Sequence, residues 1–397
     1  MGHDFDTIVV GAGLSGLLAA VALGGAEPGA GRRVALVDAG EIERAGDNRA
    51  TALAPSTLRL LHRLGVRPEP IQPMLGMRVG EGDADTPWQF ELPVREAEPL
   101  AMTCANADLR RALLAALPDS VARFENARVE SMDTRGRVSL QLDGGTSLTA
   151  ALVVACDGHD SAVRRMAGLR VSRTDFGQRA LVATVHHREP HEGIALQRFG
   201  AVGAVASLPL PDAGGAHRSQ IVWSDRSRAV AAARALSGPA LAALIDERLW
   251  GYLDIHAVEP GMSDYPLVGR RASALASERV ALVGDAARTI HPLAGQGWNL
   301  AARDVAALCE GVTAAVETGQ DIGTAGLLGY QRWRRADETL LGALTAALSS
   351  TRVPVVGRLL GHARRAAFAV TDELPLLHPF IRREAAGESG TLPALLS

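Results

Sequence analysis

The hydrophobic residues near the start of the chain predict a strand, a helix and a second strand in close succession. Phe5 to Val10 is rich in β-branched residues and indicates a short buried strand. The apolar run LLAAVAL at 17–23 indicates a helix, and Val34 to Val37 indicates a second buried strand. This strand–helix–strand order is typical of a parallel α/β sheet.

The hydrophobic pattern changes further along the chain. Residues 151–156 and 279–283 again predict buried strands, whereas alternating residues within 176–265 predict antiparallel strands with one exposed face. The fold class expected is therefore α/β: a Rossmann-like domain with an inserted, mainly antiparallel β domain and a C-terminal helical segment. The predicted limits are 1–70, 101–175 and 266–329 for the α/β domain, 71–100 and 176–265 for the inserted domain, and 330–397 for the C-terminal region.

Several local elements follow from the same pattern. We expect the segment from Asn48 to Leu53 to lead into a helix that ends at Gly65. A second helix should follow Asn106, which is suited to cap it. Residues 231–249 predict one helix, and 298–316 another. The pair His186 and His187, with His191 close by, suggests a solvated strand edge.

The stretch from Thr7 to Ala26 carries no charge and is long enough to cross a bilayer. However, Asp4 and Asp6 precede it, where a signal peptide would be positive. Three spaced glycines also suit a turn better than a membrane span, so we expect a protein without a transmembrane segment.

Composition narrows the range of functions. The net charge of −3 gives no indication of nucleic-acid binding. All 41 basic residues are arginine, which excludes Schiff-base chemistry on lysine. The three cysteines lack metal-ligand spacing, so we expect small buried residues, a reducing compartment and no metal site.

A glycine-rich turn separates the first predicted strand from the first helix. Gly11, Gly13 and Gly16 have the GxGxxG spacing, and Asp38 follows Gly16 by 22 residues. Gly11 permits the turn, Gly13 lets a pyrophosphate approach the backbone, and Gly16 lets the helix pack closely on the strand. An acid about 20 residues further on suits a ribose hydroxyl. Together these features predict a dinucleotide site at the start of the helix.

Two later strand ends carry similar polar turns. Asp157 lies in the segment DGHDSAVR and Asp285 in the segment GDAARTIHPLAGQGWN. In an open α/β sheet, ligands bind beyond the carboxyl ends of the strands. Three such ends would line one large cofactor, with both acids accepting hydrogen bonds from its hydroxyl groups. Either acid alone could instead cap a helix.

The three motifs together resemble the signatures of single-component FAD-dependent aromatic hydroxylases, which carry GxGxxG, DG and GD motifs in this order. Arg288 stands where that family usually has histidine, and arginine keeps a donor but cannot titrate. The segments that resemble the ubiquinone-biosynthesis hydroxylases in particular are Ile290 to Leu300, Arg303-Asp304-Val305, Tyr265-Pro266-Leu267 and the spacing of Tyr330, Arg334 and Asp337.

The resemblance implies FAD as cofactor and NAD(P)H as reductant. A C4a-hydroperoxyflavin would then transfer oxygen from O2 to an electron-rich ring, that of a polyprenylated phenol in ubiquinone biosynthesis. His291 and Pro292 would lie beside the flavin ring and are the candidate catalytic residues, although His291 could be purely structural. The cofactor-binding residues implied are Gly11, Gly13, Gly16, Asp38, Arg49, Asn106, Asp157, Asp285, Gly295, Gln296, Gly297 and Asn299.

Two alternatives remain at this point. One is a FAD-dependent enzyme with another substrate, either a hydroxylase of a soluble aromatic compound or a flavin reductase of isoprenoid chains. The other is a non-catalytic flavin-binding assembly factor, which only Arg288 supports. Oxidation of NADPH stimulated by a phenol would separate the enzymes from the assembly factor.

The C-terminal part of the chain combines arginine with leucine. Arg358, Arg364 and Arg365 lie among apolar residues such as Leu359 and Leu360. Such a helix suits an anionic membrane surface or a partner protein, or it packs on the FAD domain with a solvated basic face. We therefore expect a cytoplasmic protein, peripheral to the inner membrane or within a biosynthetic complex. The sequence does not predict the oligomeric state.

Overall fold

The computed structural model describes residues 3–25, 32–44, 47–81, 90–92, 99–200, 202–290, 297–334 and 392–396. The strands are β1 His3–Val10, β2 Val34–Val37, β3 Ala50–Leu53, β4 Ile71–Met74, β5 Gly76–Glu81, β6 Phe90–Leu92, β7 Ala101–Ala105, β8 Ala122–Phe124, β9 Val129–Asp133, β10 Val138–Leu142, β11 Ser147–Ala155, β12 Val171–His187, β13 Ile194–Phe199, β14 Ala204–Ala213, β15 Ala216–Arg226, β16 Ile255–Val258, β17 Ser263–Ala272, β18 Ala276–Ser277, β19 Val280–Leu282 and β20 Arg288–Thr289. The helices are α1 Leu14–Gly24, α2 Pro55–Arg63, α3 Asn106–Ala115, α4 Ala162–Met166, α5 Ser227–Arg234, α6 Gly238–Arg248 and α7 Gly297–Glu317. A π-helical turn at Ile322–Gly326 leads into helical residues 327–334.

The first sheet has the strand order β18-β19-β11-β1-β2-β8, with β10 and β9 extending it beside β11. Strands β19, β11, β1, β2 and β8 run parallel. Their apolar residues are buried, and α1, which packs against α7, lies on the sheet. The predicted α/β fold class is confirmed.

The second sheet has the order β20-β17-β12-β15-β14-β13-β5-β6, and β16 pairs with β12. Its pairs are antiparallel except for β13 with β5. One face packs against α5 and α6. The opposite face lies against a small sheet, β3-β7-β4. The inserted, mainly antiparallel β architecture is thus confirmed, while the exact domain limits stay a prediction.

Some local predictions are wrong. The helix expected over 231–249 is two helices, because Pro239 lies in the first turn of α6, where proline favours a helix start. The segment before α2 leads into that helix as expected, but Leu53, which was counted with the helix, ends strand β3. The helix begins only at Pro55, since Ala54 precedes this proline and takes an extended conformation. Gly65 does follow α2, at a φ of 73°.

The histidine pair is the clearest error among the predicted surfaces. His187 and His191 are only 2% and 8% exposed. The Nδ1 atom of His191 accepts from the backbone N–H of Gly193 at 3.0 Å, and its Nε2 lies 3.0 Å from the oxygen of Leu210. This pairing requires a neutral ring, and burial lowers the pKa of both histidines. The third histidine of this group, His186, is half-buried and lies 2.8 Å from the carboxylate of Glu259.

The cysteines are free and buried, as predicted. Burial raises the pKa of Cys104 and Cys309 to about 12, so neither thiol is suited to nucleophilic chemistry. The uncharged stretch near the N-terminus is divided between β1 and α1. Within the described ranges, no helix has the length and apolar character needed to cross a membrane.

Candidate functional site

Three strand ends meet at one edge of the first sheet. Val10 of β1 is paired with Ala155 of β11, and Ala155 is paired with Leu282 of β19. The glycine turn follows Val10 directly, and the DG and GD motifs begin two residues after Ala155 and Leu282. The convergence predicted from the sequence is therefore present.

The glycine turn makes backbone contacts that only glycine permits. Gly11 has a φ of 98°, and a Cβ atom there would lie 2.5 Å from the oxygen of Cys156. A Cβ atom on Gly16 would lie 1.7 Å from the oxygen of Gly11. In contrast, a Cβ atom on Gly13 would meet nothing within 4 Å. Gly11 and Gly16 thus hold α1 against the strands, and Gly13 leaves open space at the start of the helix.

The N-terminus of α1 is suited to an anion. No described side chain caps it, and no acidic residue lies in its first turn. Its first N–H groups therefore remain available beside the open space at Gly13. Backbone N–H groups at a helix start, together with the helix dipole, bind phosphate. These features fit the diphosphate of a dinucleotide.

Asp38 is held by the turn and by an arginine that we did not predict. Its carboxylate accepts from the backbone N–H of Ala12 at 2.5 Å and of Gly40 at 2.9 Å, and from Nη1 of Arg44 at 2.6 Å. Burial opposes ionisation, but these hydrogen bonds prevail and lower the pKa of Asp38. Asp38 is therefore ionised at the site, and its contact with a ribose stays a prediction.

Arg110 was also missed. It is buried on α3 and donates to the carbonyl oxygens of Ala12 at 2.7 Å, Ile42 at 2.5 Å and Arg44 at 2.9 Å. It thereby ties the glycine turn to the loop after β2. The sequence did contain one indication that Arg110 lies near the site. Arg110 follows Asn106 by four residues, and residues with this spacing lie on the same face of a helix.

Arg49 and Asn106 lie in one cluster with Asp47. The Nη2 atom of Arg49 is 2.5 Å from the carboxylate of Asp47, and the guanidinium lies 6.0 Å from the ring centre of Tyr265. Asn106 donates to the same carboxylate at 2.9 Å and accepts from the hydroxyl of Thr51 at 2.7 Å. Asn106 is the first residue of α3 and not its cap, so the predicted cap is wrong. The cluster connects the small sheet to the second sheet, through Thr51 of β3 and Tyr265 of β17.

Asp285 has the properties expected of an acceptor for a ligand. It follows β19, is accessible to solvent, and forms no hydrogen bond with any described residue. The protein around the cleft nevertheless limits its hydration. This loss of hydration disfavours the charged carboxylate and so raises the pKa of Asp285. The positive charges of Arg49, His159 and Arg270 act in the opposite direction and lower it by less. Asp285 therefore faces a concave, positively charged cleft with its oxygens available.

The DG motif both caps a helix and joins the GD motif. One oxygen of Asp157 accepts from the backbone N–H of Val163 at 3.1 Å, while its other oxygen is buried without a partner among the described residues. Arg164 donates to the oxygens of Ala286 at 2.8 Å and His159 at 2.9 Å. The hydroxyl of Ser161 accepts from the backbone N–H of Arg164 at 2.9 Å. A contact between Asp157 and the cofactor therefore stays a prediction.

A buried ion cluster supports the GD motif from behind. Asp304 of α7 accepts from Arg288 at 2.6 Å and from Arg334 at 2.7 Å, and its other oxygen accepts from the backbone N–H of Gly284 at 3.1 Å. Tyr330 donates to the oxygen of Leu282 at 2.6 Å. The arginine at position 288, unusual for the family, is thus one half of a buried ion pair. Arg288 therefore has a structural role in holding Asp304.

The described part of the long glycine-rich segment begins again at Gly297, the first residue of α7. Asn299 joins α7 to the end of β3, because its side chain accepts from the N–H of Ala54 at 3.0 Å and donates to the oxygen of Ala52 at 2.8 Å. A Cβ atom on Gly297 would meet nothing within 4 Å. The remaining candidates lie outside the described residues, so their roles stay predictions: His291, Pro292, Gly295 and Gln296.

Comparisons with known proteins identify the class. The family model described as FAD binding domain matches residues 4–339, and the chain belongs to that family. The ubiquinone hydroxylase UbiL of Rhodospirillum rubrum is 35% identical over 96% of this chain and 89% of its own length. The ubiquinone hydroxylase UbiM of Neisseria meningitidis is 29% identical over 81% of this chain and 72% of its own.

A solved structure supports the fold. The p-nitrophenol 4-monooxygenase PnpA of Pseudomonas putida DLL-E4 superposes with a TM-score of 0.75 at 22% identity, over 98% of this chain and all of that one. The class implied by the motifs is therefore confirmed, and the protein is an FAD-dependent monooxygenase that uses NAD(P)H. The open space at Gly13 and the accessible carboxylate of Asp285 fit FAD.

Proposed function

We propose that this protein hydroxylates the aromatic ring of a polyprenylated phenol in ubiquinone biosynthesis. We infer the substrate class from one observation. The chain matches, over 96% of its length, a protein named ubiquinone hydroxylase. The reaction consumes one O2, one NAD(P)H and one proton for each ring that is hydroxylated. One oxygen atom is inserted into a ring C–H bond, and the other leaves as water. FAD, when bound, supplies the electron transfer and oxygen activation.

The residues of this chain bind and orient the cofactor. The N–H groups at the start of α1, beside Gly13, would hold the diphosphate, and Asp285 would accept hydrogen bonds from hydroxyl groups of the cofactor chain. Arg49 adds positive charge on the same side of the cleft. Tyr265 of the second sheet lies beside Arg49 on this side of the site, so the second sheet would limit the access of water to the bound flavin.

The experiment is a turnover assay with purified, FAD-loaded protein. We expect about one FAD per chain, NAD(P)H oxidation stimulated by a short-chain prenylphenol, and a product heavier by one oxygen atom that derives from labelled O2. Turnover of soluble phenols alone would favour a soluble-substrate hydroxylase. A protein that holds FAD but gives no stimulated oxidation with any phenol would support the assembly-factor alternative and contradict the proposal.

We also propose that the enzyme meets its substrate at an anionic membrane surface or within a biosynthetic complex. Support comes from the insolubility of polyprenylphenols and from the basic, leucine-rich C-terminal sequence. Its arginines at 358, 364 and 365 lie outside the described residues.

The membrane proposal predicts salt-sensitive binding. We expect co-sedimentation with vesicles that contain anionic lipid at low salt and release at high salt, because exposed charges are screened. Changing Arg358, Arg364 and Arg365 to glutamate should weaken this binding, whereas the same change at exposed Arg173 and Arg228 should not. If the wild type binds neither vesicles nor proteins of a cell extract at low salt, the proposal is wrong.

A further inference from the structure

The last described residues of the chain lie on the first domain, on helices that are far away in the sequence. Residues 392–396, which we call the tail, contain a short helical turn at Ala394–Leu396 that contacts both α2 and α7. Leu396 is 0% exposed and belongs to the hydrophobic core of the first domain. Leu392 and Leu395 are half-buried and pack on the same core.

Side chains of α2 and α7 bind the backbone at both ends of this turn. The carboxylate of Glu310 on α7 accepts from the backbone N–H of Ala394 at 2.9 Å. On α2, Nε of Arg59 donates to the oxygen of Leu396 at 3.1 Å, and Arg63 donates to the oxygen of Ala394. A helical turn leaves its first N–H and last C=O groups without internal partners, and it favours an acid at its start and a base at its end. The charges of Glu310, Arg59 and Arg63 therefore match the direction of the turn.

The tail bridges two helices that are also joined near their starts. Asn299, in the first turn of α7, accepts from the backbone N–H of Ala54, immediately before α2. Glu310 lies about three turns further along α7, or roughly 16 Å. Arg63 is the last residue of α2. Because the tail binds both Glu310 and Arg63, it links the two helices at a second point, and α2 is held on α7 at both of its ends.

The tail also returns the chain to the helix beside which it was last described. Arg334 pairs with Asp304 of α7. Residues 335–391 lie outside the described ranges, and after them Ala394 pairs with Glu310 of the same helix. Asp304 and Glu310 are separated by only about 9 Å along the helix axis. The two ends that flank the basic, leucine-rich segment are therefore fixed at one helix of the first domain.

We infer that the surface formed by α2 and α7 is a docking site for the tail, recognised by Arg59, Arg63 and Glu310. The ligand class is a short apolar peptide that forms one helical turn, with its end groups paired to these side chains and one leucine in the core. Docking clamps α2 to α7. A unit of this size, with few fully buried side chains, can open locally without unfolding of the domain.

The test is amide hydrogen exchange of the FAD-loaded full chain, measured by mass spectrometry. The N–H groups of Ala394 and Leu396 are both hydrogen-bonded, so the tail should exchange more slowly than the same peptide free in solution. Leu396→Asp should speed exchange in the tail by about tenfold or more, because a charged group is costly to bury in place of leucine. Exchange in the last turn of α2 should rise as well, whereas exchange in α3 should not change.

A second variant and two controls accompany this measurement. Arg59→Gln combined with Arg63→Gln removes the charges on α2 and should also speed exchange in the tail. Ala394→Ser is the matched control, because Ala394 is exposed and its backbone hydrogen bonds remain, so exchange should stay at the wild-type rate. Arg173→Gln combined with Arg228→Gln removes two exposed arginines of the second domain and should have no effect on the tail.

A free peptide tests whether the tail acts as a ligand of this surface. Adding the peptide of residues 390–397 to the Leu396→Asp chain should restore slow exchange in α2, and the peptide that carries the same aspartate should not. If the wild-type tail exchanges as fast as the free peptide, the tail is not docked and the inference is wrong. If millimolar peptide fails to restore slow exchange, the tail is a fixed part of the fold, which also contradicts the inference. These readouts require no substrate, so the proposed function is tested separately.

Discussion

Replacing Asp304 with alanine should destabilise the protein by about 3–5 kcal/mol, the usual cost of removing one partner from a buried ion pair. Asp304 is fully buried and accepts from both Arg288 and Arg334. Without it, two guanidinium groups remain close together without the carboxylate between them. The N–H of Gly284 also loses its acceptor. The measurement is the free energy of unfolding in urea.

Two variants serve as controls for this result. Asp133→Ala removes an exposed carboxylate paired with Arg135, and the unfolding midpoint should not change measurably. Arg288→His leaves Asp304 with Arg334, so it should destabilise less than Asp304→Ala. Equal stability of Asp304→Ala and the wild type would show that the cluster does not support the GD motif.

Replacing Asp285 with alanine should weaken FAD binding by roughly ten- to a hundredfold while the protein stays folded. An acceptor in a partly desolvated cleft contributes about 1–3 kcal/mol when it pairs with hydroxyl groups. Asp285 forms no hydrogen bond with any described residue, so its removal should cost little stability. The measurement is the dissociation constant of FAD, obtained by flavin fluorescence, with circular dichroism to confirm the fold.

Two controls separate this effect from a general loss of charge. Asp285→Asn keeps one acceptor oxygen and should retain more FAD than the alanine variant. Asp119→Ala removes an exposed acid elsewhere on the chain and should leave FAD affinity unchanged. Wild-type affinity in Asp285→Ala would mean that the cofactor chain does not lie at this strand end.

The sequence was informative wherever function depends on local geometry. The glycine spacing predicted the close contact of Gly16 with Gly11, because that contact arises within a single strand–turn–helix unit. The ends of β1, β11 and β19 could be aligned in advance, since parallel strands of one sheet place their carboxyl ends together. These rules need no knowledge of distant contacts.

Contacts between distant parts of the chain escaped prediction. Arg110 donates to the carbonyl oxygens of Ala12 and Ile42, and Arg164 donates to that of Ala286, which lies 122 residues further along the chain. In the sequence, each is one arginine among 41 basic residues. The burial of His187 and His191 was also missed, because the covering elements lie far away along the chain.

The sequence by itself therefore determined the class of fold, the cofactor and the strand ends that hold it, since short-range geometry and hydrophobic periodicity encode them. Only the tertiary structure decided which charged residues are buried together and which polar groups remain without partners. The pairing of Arg288 with Asp304 is of this kind, and so is the buried oxygen of Asp157 that has no partner among the described residues. Burial and pairing depend on which distant surfaces meet, and that is fixed only when the sheets pack against each other.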